Sequence, residues 1–304
     1  MHRLRFDVPR ERAGRAPRRR VARLHPLLAA AGAAGLAVAA VAALAVAAHA
    51  ARGLTVKGSD TMVILGQRWA EVYMNERRGA IVQVTGGGSG TGIAALINGT
   101  TDICQASRPM KDAEKAKLKD RFQTTGVEIP VARDGITLYV HDAHPVGELS
   151  LEQLRDIFTG RLANWKDVGG PDAAIVLYGR ENSSGTYVYF KDNVLKGKDY
   201  SPRTQTLPGT AAVVNAVAKD KFGIGYGGAA YAKGVKALAI KKDAATTGVH
   251  PTADTIRDGS YPISRYLYFY LRRKPTGDAQ QFVNWVLSNE GQALVTQVGY
   301  FPVR

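Results

Sequence analysis

GGGSGTG, residues 86–92, is the stretch around which the fold is organised. An alternating apolar run at 81–84 precedes it, and an apolar run at 93–97 follows it and ends at Asn98-Gly99. This order predicts a strand, a glycine-rich loop and a helix that ends at glycine. Glycine lets the backbone N–H groups of such a loop turn inward, and the helix N-terminus adds partial positive charge behind them. The stretch therefore predicts a binding site for an anion.

The tripeptide Ser-Gly-Thr inside this loop occurs a second time, at 184–186, where it again opens a helical pattern. Arg180 lies just upstream, and its planar guanidinium can donate to two oxygens of one anion at once. A third loop, Gly58 to Thr61, also carries hydroxyl groups in front of an amphipathic helix. Three such helix starts predict an anion that is held from two sides.

The first fifty residues differ in character from the rest. Nine arginines against Asp7 and Glu11 precede an Ala/Leu/Val run at 27–48, which ends in Ala-His-Ala. A charged segment, an apolar segment and a small-x-small site are typical of a signal peptide. An uncleaved membrane anchor is the alternative, although the alanine-rich run is only weakly hydrophobic and favours cleavage. We therefore expect a periplasmic or other extracytoplasmic protein, either exported with removal of residues 1–50 or anchored through them.

Net charge and cysteine content narrow the classes of partner. The 304-residue chain has a formal net charge of +15; nine arginines less two acidic residues place +7 in its first 26 residues, so about +8 remains on the rest. A moderately basic domain suits an anionic ligand, whereas its scattered lysines lack the aromatic-interleaved stripe of a nucleic-acid binder. We expect no nucleic-acid partner. The single cysteine, Cys104, cannot form an intramolecular disulfide and is expected to be a buried apolar residue.

Strands alternate with helices through the remaining chain, which predicts an α/β fold with largely parallel pairing. Two apolar strands, near Ile136 and Ile263, are suited to crossing between two halves of the molecule. We therefore expect two lobes joined by a two-strand hinge, with residues 54–135 and 264–304 in lobe 1 and residues 136–263 in lobe 2. A capping box at Ser150 and Gln153 starts one helix of lobe 2, and residues 278–297 are expected to close the chain in helical structure.

The sequence matches none of the common metal-site, dinucleotide-binding, hydrolase or phosphotransferase motifs in its required context. His141 and His144 have no further ligand cluster nearby, so we expect no metal site. Glycines 223, 225 and 228 match a dinucleotide fingerprint, but they lie inside or after a strand, which is the wrong context. A serine hydrolase motif around Ser89 would need glycine two positions later, where the sequence has Thr91. A phosphotransferase P-loop would need a lysine after the glycines of residues 86–92, and none follows them. We expect a binding protein without a cofactor rather than an enzyme.

Five motifs, taken in order, resemble those of one family: Gly58–Thr61, residues 86–92, Leu151–Trp165, Arg180–Thr186 and Phe222–Tyr226. Over essentially all of residues 54–304 they look like the phosphate-binding receptor of the bacterial phosphate ABC transporter. The resemblance implies a two-lobed periplasmic-binding-protein fold of type II that closes over inorganic phosphate and delivers it to a membrane permease. We expect a monomer, although nothing in the sequence determines the oligomeric state.

The resemblance also implies binding residues at four places in the chain. Thr61 and the backbone of Met62 would contact phosphate from the first loop, and Ser89 from the glycine loop. The second Ser-Gly-Thr turn and Arg180 would contact it from lobe 2. With the neighbours that these loops carry, the expected set is Ser59, Asp60, Thr61, Met62, Ser89, Gly90, Ser107, Arg108, Arg180, Ser184, Gly185 and Thr186.

Position 108 departs from the family pattern. Many members carry an acidic residue directly after Ala-Ser, where it accepts a hydrogen bond from the proton of phosphate, and here that position is Arg108. We expect Asp60 to supply the acceptor instead, with Arg108 paired to Asp60 or to the ligand. The alternatives are a receptor for tetrahedral oxyanions in general, sulfate included, and a surface phosphate sensor or adhesin without a transport role.

Overall fold

The structure, a computed structural model, describes residues 53–303, and the predicted signal segment lies outside them. The described residues form eleven β-strands and nine α-helices. The strands are β1 Leu54–Gly58, β2 Val82–Thr85, β3 Ile103–Ala106, β4 Val127–Val140, β5 Glu148–Ser150, β6 Val176–Arg180, β7 Gln205–Leu207, β8 Gly223–Gly228, β9 Lys236–Ala237, β10 Ala239–Lys241 and β11 Ser264–Leu271. The helices are α1 Val63–Glu76, α2 Ser89–Asn98, α3 Asp112–Phe122, α4 Leu151–Phe158, α5 Gly185–Asn193, α6 Gly209–Val217, α7 Ala253–Arg257, α8 Gly277–Val286 and α9 Asn289–Val298.

Nine strands form one sheet in the order β2-β1-β3-β11-β4-β8-β6-β7, with β9 also paired to β4. The pairs toward both ends of the sheet, β2-β1-β3 and β8-β6-β7, are parallel as expected for alternating strands and helices. The centre differs, because β11 pairs antiparallel with β3 and β4, and β4 pairs antiparallel with β8. The prediction of parallel pairing therefore holds toward the two ends of this sheet and is wrong at its centre.

Strand β4 joins two separate hydrophobic cores. Its residues 127–135 pair with β11, and residues 136–140 then pair with β8. The first core gathers side chains from 54–132 and 267–300 around Trp69, Phe269 and Phe282, with Ala230 as its one buried member from elsewhere. The second core draws all of its buried members from 136–263, around Phe158 and Tyr226. The change of partner along β4 and the start of β11 at residue 264 mark two connections between the cores.

Local signals explain most helix starts. The Ser150 hydroxyl accepts a hydrogen bond from the Gln153 amide, and the Ser150 amide donates one to Gln153 Oε1, which is the predicted capping box. The predicted helical segment over 278–297 is present, and it is divided into two helices, α8 and α9. Ser288 stands between them, and its hydroxyl accepts from the Gly291 amide and so caps the second helix. Within residues 53–303, no helix is both long and apolar enough to span a membrane.

Candidate functional site

Hydroxyl groups from distant parts of the sequence meet where the two cores face each other. The Thr61 and Thr186 hydroxyls share a hydrogen bond of 2.8 Å. Beside them, the Ser59 hydroxyl donates to Ser107 Oγ at 2.9 Å, and the Ser107 amide donates to Ser89 Oγ at 3.0 Å. All five side chains are buried. The loops that precede α1 and α2, the end of β3 and the start of α5 therefore converge on one point.

The glycine loop brings Ser89 into this cluster. Gly87 and Gly88 have φ values of 108° and 92°, a region that side chains rarely adopt, and the chain then enters α2 at Ser89. The Gly90 amide donates to the Ser183 carbonyl at 2.9 Å, so the loop is joined by its backbone to the segment before α5. A helix start of this kind presents both hydroxyl groups and positive partial charge.

The second Ser-Gly-Thr turn lies directly opposite. The Ser184 hydroxyl accepts from the amides of Thr186 and Tyr187, so Ser184 is the N-cap of α5 as well as a site candidate. A methyl group at Gly185 would lie 2.3 Å from Ser89 Oγ and 2.6 Å from Ser107 Oγ. Glycine is therefore required by space at position 185, because the opposing hydroxyl groups approach its α-carbon directly.

Arg180 is buried beneath this contact and is fixed by four hydrogen bonds. Its guanidinium, whose side chain is 1% exposed, donates to Thr210 Oγ1 at 2.8 Å, to Asp60 Oδ2 at 2.9 Å and to both carboxylate oxygens of Glu181. Asp60 Oδ1 in turn accepts from the Gly87 amide at 2.8 Å. The Arg180–Asp60 pair thus joins a residue of β6 to the first loop.

A second arginine, which the sequence interpretation did not include, lies at the centre of the hydroxyl cluster. Arg265 on β11 donates to Asp134 Oδ2 through Nε and Nη2, at 3.0 and 2.8 Å. Its Nη2 also donates to Thr186 Oγ1 at 2.9 Å and, at 3.4 Å, to Thr61 Oγ1, while Nη1 donates to the Ser107 carbonyl at 2.9 Å. The Arg265 side chain is 2% exposed and that of Asp134 is 0% exposed. One guanidinium therefore contacts four of the segments that form the site.

Burial and charge act in opposite directions on the carboxylates here. Burial raises the pKa of Asp134, and the adjacent Arg265 guanidinium opposes that shift only in part. Burial would also raise the pKa of Glu181, but its hydrogen bonds from Arg180 outweigh it and leave that pKa lowered. The site thus holds carboxylates of two kinds, one fully paired and one with a remaining tendency to take up a proton.

Arg108 makes its side-chain contacts outside the hydroxyl cluster. Its guanidinium donates to both carboxylate oxygens of Glu114, at 2.8 and 2.7 Å, and to the Pro109 carbonyl. The expected pairing of Arg108 with Asp60 is therefore wrong, since Asp60 is paired with Arg180. The cause is local: α3 begins at Asp112, which brings Glu114 back over the loop that carries Arg108.

The remaining predicted residues keep their places in the first loop. The backbone amide of Met62 donates to the Ser59 carbonyl at 3.0 Å, within the short 3-10 helix Asp60–Met62. Of the twelve expected positions, Arg108 is the one whose side chain turns away from the cluster. The other eleven lie in the three loops, at Ser107 next to these loops, or at the buried Arg180. Asp134 and Arg265 were missed, although a charged residue inside an otherwise apolar strand is a signal that the sequence carries.

The cluster is suited chemically to a small tetrahedral oxyanion. It offers hydroxyl and backbone donors together with two guanidinium groups, which favour carboxylate, phosphate or sulfate oxygens. In the part of the chain that the structure describes, no group of three or more His, Cys, Asp or Glu side chains could hold a metal ion.

Comparison with known proteins agrees with this chemistry. A family model described as PBP superfamily domain matches residues 45–290. The phosphate-binding protein PstS of Pseudomonas aeruginosa is 33% identical over 267 residues, which cover 82% of this chain and 83% of that protein. The phosphate-binding protein PstS of Staphylococcus haemolyticus is 34% identical over 247 residues, or 78% and 77% of the two chains.

Solved structures give the same result. A Clostridium perfringens protein with bound phosphate has a TM-score of 0.76 and 28% identity, covering 83% of this chain and all of that one. An ABC-type phosphate transport receptor from Vibrio cholerae has a TM-score of 0.66 and 28% identity, covering 82% and 99%. The two cores, the two connecting strands and these matches identify the two-lobed α/β binding-protein fold. The chain belongs to the PBP superfamily and, within it, to the family of the phosphate-binding protein PstS.

Proposed function

We propose that this protein is an extracytoplasmic receptor that captures inorganic phosphate between two lobes and delivers it to the permease of a phosphate ABC transporter. Residues 54–135 and 264–304 form lobe 1 in this proposal, and residues 136–263 form lobe 2. The family relationship and the phosphate-bound structural neighbour support it. The predicted signal segment supports export, and a receptor of this kind needs no cofactor and catalyses no reaction.

The convergence of donors from both lobes is the observation that carries the proposal. Thr61 of lobe 1 and Thr186 of lobe 2 are 2.8 Å apart at their hydroxyl oxygens, and Arg265 donates to both. Donors that meet from two sides are arranged for an anion with oxygens in several directions, and a tetrahedral dianion has that shape. Ser89 and the α5 turn complete the set, so the proposed ligand-binding residues are those of the predicted list other than Arg108, with Arg265 added.

The contacts across the interface also support closure on binding. The Gly90–Ser183 backbone hydrogen bond and the Arg180–Asp60 ion pair each join one lobe to the other. Both would be absent if the lobes separated about the two connections near residues 136 and 263. We therefore propose that phosphate binding shifts the protein from an open to a closed arrangement by hinge motion.

Calorimetry and thermal unfolding test the proposal. The protein, freed of bound anion by dialysis, should bind phosphate with a measurable heat and should melt at a higher temperature in its presence, because a ligand that binds only the folded state stabilises it. Nucleotides and sugars at the same concentration should give neither effect. If millimolar phosphate produces no heat and no change in melting temperature, the protein is not a phosphate receptor.

A further inference from the structure

The buried pair Asp134–Arg265 is the feature that the proposed function does not yet use in full. The two residues are cross-strand partners in β4 and β11, at the position where these strands pass between the cores. Asp134 Oδ2 accepts both hydrogen bonds from Arg265, whereas Asp134 Oδ1 is buried and accepts no well-aligned hydrogen bond from any of residues 53–303. The Ala229 amide lies near enough to favour the charged form but does not complete that bond. A buried acceptor without a partner is unfavourable and calls for an explanation.

The free oxygen lies beside the site. A methyl group at Gly228 would be 2.9 Å from Asp134 Oδ1 and 3.2 Å from Thr61 Cγ2, so the carboxylate and the Thr61 side chain border the same small space. Arg265 Nη2 contacts Asp134 Oδ2 and both threonine hydroxyls. The Asp134 carboxylate is thus separated from these hydroxyls by a single nitrogen atom.

In Asp60, the acceptor expected from the sequence, both carboxylate oxygens already accept a hydrogen bond. Oδ1 accepts from the Gly87 amide and Oδ2 accepts from Arg180. Glu181 likewise accepts from Arg180 through both of its oxygens. Among the acidic side chains that border the hydroxyl cluster, Asp134 is therefore the one with a carboxylate oxygen that accepts no hydrogen bond from the described residues.

We infer that Asp134 Oδ1 accepts a hydrogen bond from the protonated oxygen of monohydrogen phosphate, and that Arg265 positions Asp134 for this contact. The inference rests on the proposed function and assigns its selectivity. An unprotonated dianion such as sulfate would place two negative oxygens against each other in a buried site, which is strongly unfavourable. The position that Arg108 occupies is then not needed for selection, because the acceptor comes from the strand that joins the lobes.

Monofluorophosphate isolates this contact. At mildly alkaline pH it has the charge of monohydrogen phosphate and nearly its shape, but fluorine replaces the protonated oxygen, so it has no proton to donate. Competition calorimetry at constant ionic strength should show that the wild-type protein prefers phosphate by about 10⁴-fold, as do sites built around one hydroxyl group of a ligand. Sulfate should be rejected similarly.

The Asp134→Asn variant should lose this preference. The amide can donate through Nδ2 to fluorine or oxygen, so the phosphate-to-monofluorophosphate ratio should fall at least about tenfold. Asp60→Asn is the matched control: it disturbs Arg180 and should weaken both ligands by a similar factor, so that their ratio is kept. If Asp134→Asn does not fold because Arg265 loses its charged partner, Asp134→Ser replaces it, since the serine hydroxyl can likewise donate to fluorine or oxygen and Arg265 is kept.

The outcomes are distinct. No binding of phosphate by the wild type refutes the proposed function itself. Phosphate binding with equal affinity for monofluorophosphate means that no acceptor exists and overturns the inference. A preference that survives in the folded Asp134 variant also overturns the inference, and its disappearance in Asp60→Asn would return the role to Asp60.

Discussion

Replacing Gly185 by alanine should prevent complete closure of the two lobes. The new methyl group would lie 2.3 Å from Ser89 Oγ, 2.6 Å from Ser107 Oγ and 2.9 Å from Ser89 Cβ, where ordinary contacts begin at 3.4 Å. These are short side chains that cannot swing away as a lysine could. The φ angle of Gly185 is one that alanine adopts readily, so the variant should fold.

The size of the effect follows from the contacts that a separation would break. Relieving the overlap requires the lobes to move apart by about 1 Å, which stretches the 2.8 Å Thr61–Thr186 and the 2.9 Å Gly90–Ser183 hydrogen bonds beyond useful length. Two neutral hydrogen bonds contribute about 1–3 kcal/mol together. Phosphate affinity should therefore fall by about 5- to 150-fold, since 1.4 kcal/mol corresponds to a factor of ten.

Calorimetry measures the affinity, and small-angle scattering measures the radius of gyration with and without phosphate. The wild type should contract on binding and Gly185→Ala should contract less, while its free energy of unfolding without ligand should change by no more than about 0.5 kcal/mol. Gly147→Ala is the matched control in lobe 2, because a methyl group there meets no atom within 4 Å. Wild-type affinity and full contraction in Gly185→Ala would refute the reasoning that this approach belongs to the phosphate-bound state.

Two further predictions concern arginines. Arg180→Lys should lower phosphate affinity by about 1.5–3 kcal/mol, because an ammonium group keeps the charge but cannot hold Thr210 and Asp60 at once; unchanged affinity by calorimetry would place Arg180 outside the site. Burial acts to raise the pKa of Glu114, but the hydrogen bonds and charge of Arg108 outweigh burial and leave that pKa lowered. The stability that this pair contributes is therefore fully present above the ordinary carboxyl pKa and is lost as the pH falls through the lowered pKa of Glu114. Urea unfolding across acidic pH should show this loss in the wild type and a smaller one in Arg108→Met, and parallel curves would contradict it.

The local features of the site are legible in the sequence. Glycine runs in front of a helix, a serine at the helix N-cap and a capping box each act over a few residues, so the starts of α2, α4 and α5 follow from composition and spacing. The strands near Ile136 and Ile263 were recognisable as apolar runs for the same reason. These patterns predict which positions along the chain carry the hydroxyl and backbone N–H donors of the site.

The contacts between distant residues were not predictable in this way. Asp134 and Arg265 meet because β4 and β11 adopt one particular register, and a shift of one strand by one residue would turn its charged side chain to the opposite face of the sheet. Arg108 finds Glu114 only because α3 starts where it does. Register and long-range pairing depend on the packing of the whole core, and no local pattern in one sequence encodes them.

The division of β4 between two cores has a consequence for the order in which the protein folds. The buried members of the second core come from one uninterrupted stretch, 136–263, whereas the first core needs both ends of the described chain. The Trp69 indole, for example, donates to the Gly291 carbonyl in α9. We therefore expect lobe 2 to fold as soon as its own residues are available, while lobe 1 stays incomplete until the last two helices arrive. A chain that loses its final forty residues should then keep a folded lobe 2 and have no receptor activity.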